Sequence, residues 1–406
     1  MTFFPRPIFA ICLLLGSYTC FASAQAEDNL QFSGFARVVM GYLDDSNAEY
    51  AGYDDSISLG EQSLLGLQAD YQFNETLSIT GQLVGHTNER RESGLEWLYV
   101  TYKPSNAFQV KLGKQRLPFF NYSDSLDVGF AYPWLTLPKQ FYETSFFSTF
   151  EGLLANYEFP VSVLLINLEG YWGYYDDDIY SPDGGVETKV TGLFGFNTSV
   201  TWKNWNARAS YNQGNTELTL LSASQFGEQL RQVGFERSAD WLDPNGLIQF
   251  YQFSVNYEDL NYFLRSEIAK MEGESGMVPD IDSFYVSVGY NFYPYTIYLS
   301  YSKRDLYYDH PENEIPFGVS DQLNALAGGY VAVTNGFLDD KSAGTKVGIR
   351  WDWRSNVALK AEATYIDADE KISGDFTLRD LGNFDGSAIL YQLGLEWVFW
   401  WINTSA

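Results

Sequence analysis

Two features of the chain predict a transmembrane antiparallel β-barrel of about sixteen strands: runs that alternate apolar with polar residues, and connections that are short turns and long acidic loops by turns. Only a strand returns to the same face at every second residue. A strand crosses lipid only within a closed barrel, where every backbone group finds a partner. No window beyond the N-terminal leader approaches the ~20 apolar residues of a spanning helix, and the mean hydropathy is −0.22. Aromatics nevertheless make up 17% of the chain, with 30 Tyr, 30 Phe and 11 Trp. Girdles at two membrane interfaces account for that excess.

The chain opens on a secretory leader over 1–24, with Arg6 in a short basic start, an apolar run from Ile8 to Leu15, and small residues at Ala22 and Ala24. Ala24 and Ala26 form the second candidate cleavage pair. Tyr18 and Thr19 do not make the small-residue site that lipidation of Cys20 requires. Cys12 and Cys20 both fall in the leader, so the mature chain has no thiol for disulfides or thiolate metal sites.

The barrel is expected over 25–399. Its first strand, Leu30 to Tyr42, climbs outward. Leu65, Leu67, Ala69, Tyr71 and Phe73 then alternate with Gln68, Asp70 and Gln72. Late in the chain, Val357, Leu359, Ala361, Ala363 and Tyr365 alternate with Lys360, Glu362 and Thr364. Tyr391, Leu393, Leu395, Trp397 and Phe399 repeat the pattern at the end. Short turns are expected at Asn74-Glu75, Pro104-Asn106, Phe159-Pro160, Lys203-Asn204, Asp259-Asn261, Tyr293-Pro294 and Arg354-Asn356. Between these hairpins lie longer stretches near 43–62, 87–93, 117–144, 176–189, 215–247, 271–282, 303–340 and 368–387, placed outside the cell as the turns are placed in the periplasm. Phe226 to Trp241 suits a short amphipathic helix that caps the surface rather than plugging the pore.

The formal charge is −27, and loss of Arg6 makes it one unit more negative, which repels nucleic acid. The acids gather in the outer loops, among them Asp44, Asp45, Glu49, Asp54 and Asp55, then Asp176, Asp177, Asp178 and Asp183, then Asp367, Asp369, Glu370, Asp375, Asp380 and Asp385. Solvated loop surface explains them. Divalent cations bridging them to lipopolysaccharide are the sharper alternative, though no metal centre or cofactor is indicated.

Strand parity turns Arg37, Lys111, Arg208, Arg265, Lys346, Arg350 and Lys360 toward the lumen, because each would cost roughly 2 to 4 kcal/mol facing lipid at midplane. Glu267, Asp352 and Glu362 share those faces and are candidate partners, so about half of these bases are expected to be structural. The third long loop carries Asp124, Asp127 and Glu143 against Lys139, beside the aromatics Phe119, Phe120, Tyr122, Phe130, Tyr132, Trp134 and Phe141.

The run Val110-Lys111-Leu112-Gly113-Lys114-Gln115-Arg116-Leu117-Pro118 resembles the V-x-L-G-R-Q segment of Gram-negative general porins, with Lys114 where the family usually has Arg. The resemblance implies a trimer of sixteen-stranded barrels for passive diffusion of small hydrophilic solutes, with residues 117–144 folded inward to narrow the pore. Asp124, Asp127 and Glu143 then face Arg37, Lys111 and Arg116 across a constriction, and the transverse field orients dipolar solutes. Tyr391, Leu393, Leu395, Trp397 and Phe399 resemble the last-strand signal read by the barrel-assembly machinery. Porins normally stop at that Phe, whereas residues 400–406 continue here.

The aromatic loop also suits a sugar-selective channel, with rings stacking on sugar faces. A structural or adhesive barrel without conductance is the alternative of another class. Enzymatic activity is not expected, since His86 and His310 are the only histidines and neither sits by a nucleophile signature. A plugged transporter of about twenty-two strands needs more chain ahead of its first strand.

Overall fold

The computed structural model describes residues 29–88, 91, 93–145, 147–179, 185–309, 313–368, 375–379 and 383–401. The expected leader over 1–24, His310, Asp183, Asp369, Glu370, Asp380 and residues 402–406 lie outside them.

The first half of the chain forms β1 (Leu30–Leu43), β2 (Ala48–Tyr50), β3 (Leu64–Asn74), β4 (Leu77–His86), β5 (Gly94–Tyr102), β6 (Phe108–Arg116), β7 (Thr149–Val161), β8 (Leu164–Ile179) and β9 (Val186–Trp202). The second half forms β10 (Trp205–Leu218), β11 (Gly246–Glu258), β12 (Tyr262–Gly273), β13 (Asp280–Phe292), β14 (Tyr295–Tyr307), β15 (Asp340–Arg354), β16 (Val357–Ala368), β17 (Phe376–Leu378) and β18 (Ser387–Trp401). All but β2 and β17 pair in sequence order into one closed antiparallel barrel, and β1 completes the ring on β18. That is the sixteen-stranded fold the alternation predicts.

The outward set is the apolar one. Leu65, Leu67, Leu112, Phe196, Ile268, Val288, Leu299 and Leu393 are all exposed, as are Tyr157, Trp202, Tyr262 and Trp353 beside the short turns. A soluble monomer rarely exposes a contiguous apolar patch above a few hundred Å². A band repeated on strand after strand therefore has lipid as its solvent.

The strands run further than the periodicity indicates. The described part of the fourth long loop is ladder, with Asp176 opposite Lys189, Asp177 opposite Thr188 and Asp178 opposite Glu187. Above the membrane both faces meet water, so alternation disappears while pairing continues. The turn expected at Phe159-Pro160 lies instead beyond Val161, where Ser162 adopts a φ of 56°. Pro160 sits near the strand end opposite Leu165, where one missing donor costs little. The last strand passes Phe399 and pairs Trp400 with Ser33 and Trp401 with Phe32.

Loop one and loop eight meet above the seam between β1 and β18. There β17 pairs with β2, with Tyr50 opposite Phe376, over a cluster that includes Leu43, Tyr53, Ile366 and Leu390. The segment expected to be one helix is two, α1 (Leu221–Gln232) and α2 (Glu236–Trp241), broken where Gly234 takes a φ of 89°. Both pack with α3 (Asp321–Thr334) through Leu230, Trp241, Leu242, Ala327 and Tyr330, a loop cluster separate from the lumen.

Candidate pore and its loop

The third long loop, residues 117–148, folds into the barrel. Its aromatics build a core against the inner wall: Phe119 stacks on Phe250 at 4.9 Å, and Trp134 meets Tyr285 edge-on at 5.8 Å. Trp134 and Phe141 are fully buried, and each such side chain contributes about 1.5 to 3 kcal/mol by leaving water. The indole Nε1 of Trp134 also donates to Ser287 and Ser300, at 3.1 and 2.8 Å.

The inward-facing bases hold the loop by its backbone. Arg208 donates to the carbonyls of Pro118 and Phe119, and Arg350 to those of Phe130 and Tyr132 at 2.8 and 3.0 Å. Lys360 donates to Gly129, Tyr132 and Trp134, at 2.8, 2.8 and 2.6 Å. Lys346 reaches the Thr136 carbonyl at 2.5 Å. A loop whose carbonyls point into a protein interior must find donors there, and these four side chains supply them. On β18, Gly394 leaves the space that Leu135 fills, and a side chain there would collide with it.

The expected acidic partners are in part the observed ones. Lys346 pairs with Glu362 at 3.1 Å and Arg350 with Asp352 at 2.8 Å. Lys360 pairs with Glu396 at 2.6 Å, both almost fully buried. Glu267 has no ion pair among the described residues. It accepts instead from Tyr142, from Tyr285 at 2.8 Å, from Gln252 at 2.7 Å and from the Asn121 amide at 3.0 Å. Arg265 pairs with Glu258 near the turn end, and Lys111 lies over the Tyr99 ring at 4.9 Å.

A second basic group gathers beside loop two. Arg91 clamps Asp127 through two bonds, Nη1–Oδ1 at 2.5 Å and Nη2–Oδ2 at 3.2 Å. Arg116 also donates to Asp127, and contacts Glu96 at 2.8 Å. Burial alone raises the Asp127 carboxyl, but the charges of Arg116 and Arg91 outweigh it and hold the group well below the usual carboxylate range. Arg37 donates to the Gln62 carbonyl at 3.1 Å and the Tyr132 hydroxyl at 3.3 Å.

This corrects the expected constriction in one respect. Asp127 does not face Arg116 across open water; it is buried against it, so these charges cancel locally instead of producing a field across the pore. Lys111 is elsewhere, on the face of Tyr99. Asp124 is exposed, and Glu143 is exposed beside Lys139 at 2.8 Å. Arg91 was not legible from parity because it lies in loop two, outside any alternating run.

A cavity of about 540 Å³ lies between loops one and three. Arg37, Arg91, Arg116, Lys139, Glu143 and Lys346 line it, together with Phe119, Phe120, Tyr132 and Tyr142. Donor atoms of His86, Glu96 and Asp127 lie within 4.8 Å of one another. Two guanidinium groups already occupy those carboxylates, so the cluster is an ion-pair site and not a metal centre. Loop eight joins the far side, where buried Asp375 meets Arg304 at 3.0 Å, Gln140 at 3.2 Å and Lys139 at 3.5 Å.

No protein-family model and no curated protein matches the chain. Solved structures do. OmpT, an outer membrane protein of Vibrio cholerae, aligns with a TM-score of 0.55 at 13% identity over 93% of this chain and 99% of its own, and a trimer form of it with 0.53 at 14% over 91% and 99%. The outer membrane channel DcaP of Acinetobacter baumannii aligns with 0.53 at 10% identity over 91% and 97%. An anion-selective porin from Comamonas acidovorans aligns with 0.53 at 13% identity over 91% and 99%. At such identity the likeness is one of fold: the chain has the architecture of the outer-membrane β-barrels.

Proposed function

We propose that the protein is a non-enzymatic outer-membrane porin, exported by a cleaved leader over 1–24, that passes ions and small hydrophilic solutes by diffusion. The observation that carries this is the pairing of an apolar outer band with a charged lumen into which residues 117–148 fold. Arginines and lysines around a cavity of about 540 Å³ suit a water-filled passage. Homotrimerisation, contact with lipid and lipopolysaccharide, and handling by the barrel-assembly machinery belong to the same proposal. It draws on the porin-like segment 110–118 and on the trimer form of the structural neighbour.

A barrel without conductance is the second reading, favoured by the loop's contacts with both walls. Planar-bilayer recording separates the two, because discrete current steps occur only with a channel. In a salt gradient, Asp124→Asn then moves the reversal potential toward anions, since Asp124 is an exposed carboxylate of the inward loop. The pair Asp177→Asn and Asp178→Asn moves it much less, as salt screens outer loops within ~8 Å at physiological strength. Equal shifts from the two positions count against Asp124 as a pore residue.

A further inference from the structure

We propose that loop one, clasped by loop eight, folds into the outer mouth as a second narrowing in series with loop three, and that Tyr50 and Tyr53 set the size of solute it admits. The inference rests on the channel reading above and adds to it the place where solutes are sieved.

A tight turn shapes loop one. Tyr50 and Tyr53 exchange both backbone hydrogen bonds at 2.9 Å, around Ala51 and Gly52 with φ of 52° and 85°. Two positive φ values in succession suit a two-residue hairpin. Residues paired in this way carry their side chains on one face, so both rings point the same way, and both are buried. That face looks into the barrel. Val38, Tyr42, Tyr365 and Tyr391 are exposed on the lipid side, so by alternation Gly41, Leu43, Ile366 and Leu390 face the lumen. Loop one covers these residues: Leu43, Ile366 and Leu390 share a buried cluster with Tyr50, Tyr53 and Phe376, and a side chain at Gly41 would collide with the Tyr53 ring. The Phe376 ring lies 5.3 Å from that of Tyr50, which brings loop eight inward with it.

The hairpin then rests on loop three. Buried Gln140 donates to the Tyr50 hydroxyl and to Asp375, both at 3.2 Å, and accepts from Ser302 on β14 at 2.8 Å. Lys139 lies over the Tyr50 ring at 5.1 Å. Asp375 fastens the same point to the wall through Arg304 at 3.0 Å. The cavity of about 540 Å³ is bordered by Tyr50, Ala51, Glu61 and Gln62 of loop one as well as by Leu137, Lys139 and Glu143 of loop three, a volume that suits one small solute. Both loops are held to the wall and to each other, so the passage at this level is the space they leave, and the narrowing is fixed rather than gated.

The test removes both rings. Tyr50→Ala with Tyr53→Ala is expected to raise single-channel conductance in planar bilayers about twofold, as removal of one of two equal resistances in series does, and to let larger polyethylene glycols lower the current. Wild-type conductance with a wild-type polymer cut-off overturns the proposal. Where the double variant does not give a heat-modifiable barrel, Phe376→Ala thins the same cluster and takes its place, with the same two outcomes. A readout that needs no current separates the narrowing from the porin reading. Thr364 lies two residues before Ile366 on the lumen face of β16 and lines the cavity, and no cysteine follows Cys20. On intact cells, Thr364→Cys is expected to react slowly with a maleimide carrying a polyethylene glycol chain, and faster once Tyr50 and Tyr53 are alanine, while a small methanethiosulfonate reacts alike in both. Equal rates for the bulky reagent overturn the narrowing. A protein silent in bilayers whose labelling still rises in the double variant defeats the porin reading and upholds the narrowing.

Discussion

Lys360→Met isolates what one inner-wall charge does for the loop. Lys360 is 3% exposed and Glu396 1%. The ammonium group serves three loop carbonyls and one carboxylate at once. Removing one partner of a buried pair costs about 3 to 5 kcal/mol because the other charge stays behind. Each carbonyl that loses its donor adds about 1 kcal/mol where water does not replace it. The barrel ladder of β16 with β15 and β18 is untouched, so the penalty falls on residues 129–134. At 1.4 kcal/mol per tenfold, about 3 kcal/mol raises the detached population roughly a hundredfold. Limited proteolysis of the detergent-solubilised protein, read by mass spectrometry, should find new cleavage after Phe130, Tyr132 or Trp134 while the folded band keeps its heat-modifiable mobility. Lys360→Met with Glu396→Gln should recover part of the protection, since no bare charge remains. A single variant as resistant as wild type, or a double variant no better than the single, would show that the aromatic packing holds the loop unaided.

Two further outcomes follow from the loops and the terminus. Hydrogen bonds from Ser56 and Arg379 lower the Asp54 carboxyl from 3.8 to about 2, so the contribution of the Arg379–Asp54 contact at 2.7 Å is complete above the ordinary carboxylate range and disappears as pH falls through about 2. Pepsin cleavage near Phe376 and Leu378 should therefore rise only at the acid end of that window; a rise beginning well above pH 4 would assign it to another group. At the terminus, Phe399 packs on Trp397 at 4.6 Å and leaves no room for a side chain at Gly34. Phe399→Ser should reduce assembly into heat-modifiable barrels far more than deletion of 402–406, and the reverse order of severity would mean that the signal lies in the tail.

The strands were legible because lipid on one side and water on the other impose a period of two. That pressure stops at the membrane surface, which is why the ladder around Asp176 to Asp178 reads as loop in the sequence although it is paired. Parity places Arg37, Arg208, Lys346, Arg350 and Lys360 inside, where the structure has them. It carries no information about partners, so the bond from Lys360 to Glu396, thirty-six positions on in the chain, is visible only in the fold. The inward course of residues 117–148 follows from the porin-like segment and not from periodicity. Its acid that enters the ion-pair cluster, Asp127, looks the same in sequence as Asp124, which does not.

The small sheet of β2 and β17 sets one strand pair of the barrel apart. A ring of strands has no weakest pair in principle, but the seam of β1 with β18 is the one wall not joined by a turn at either end. Above it, the paired segments at Tyr50 and Phe376 and the contact of Arg379 with Asp54 tie the flanking loops together. Below it, Phe32 opposite Trp401 is the outermost pair. The seam is therefore tied on its outer side by a second sheet, the one such clasp above any strand pair among the described residues.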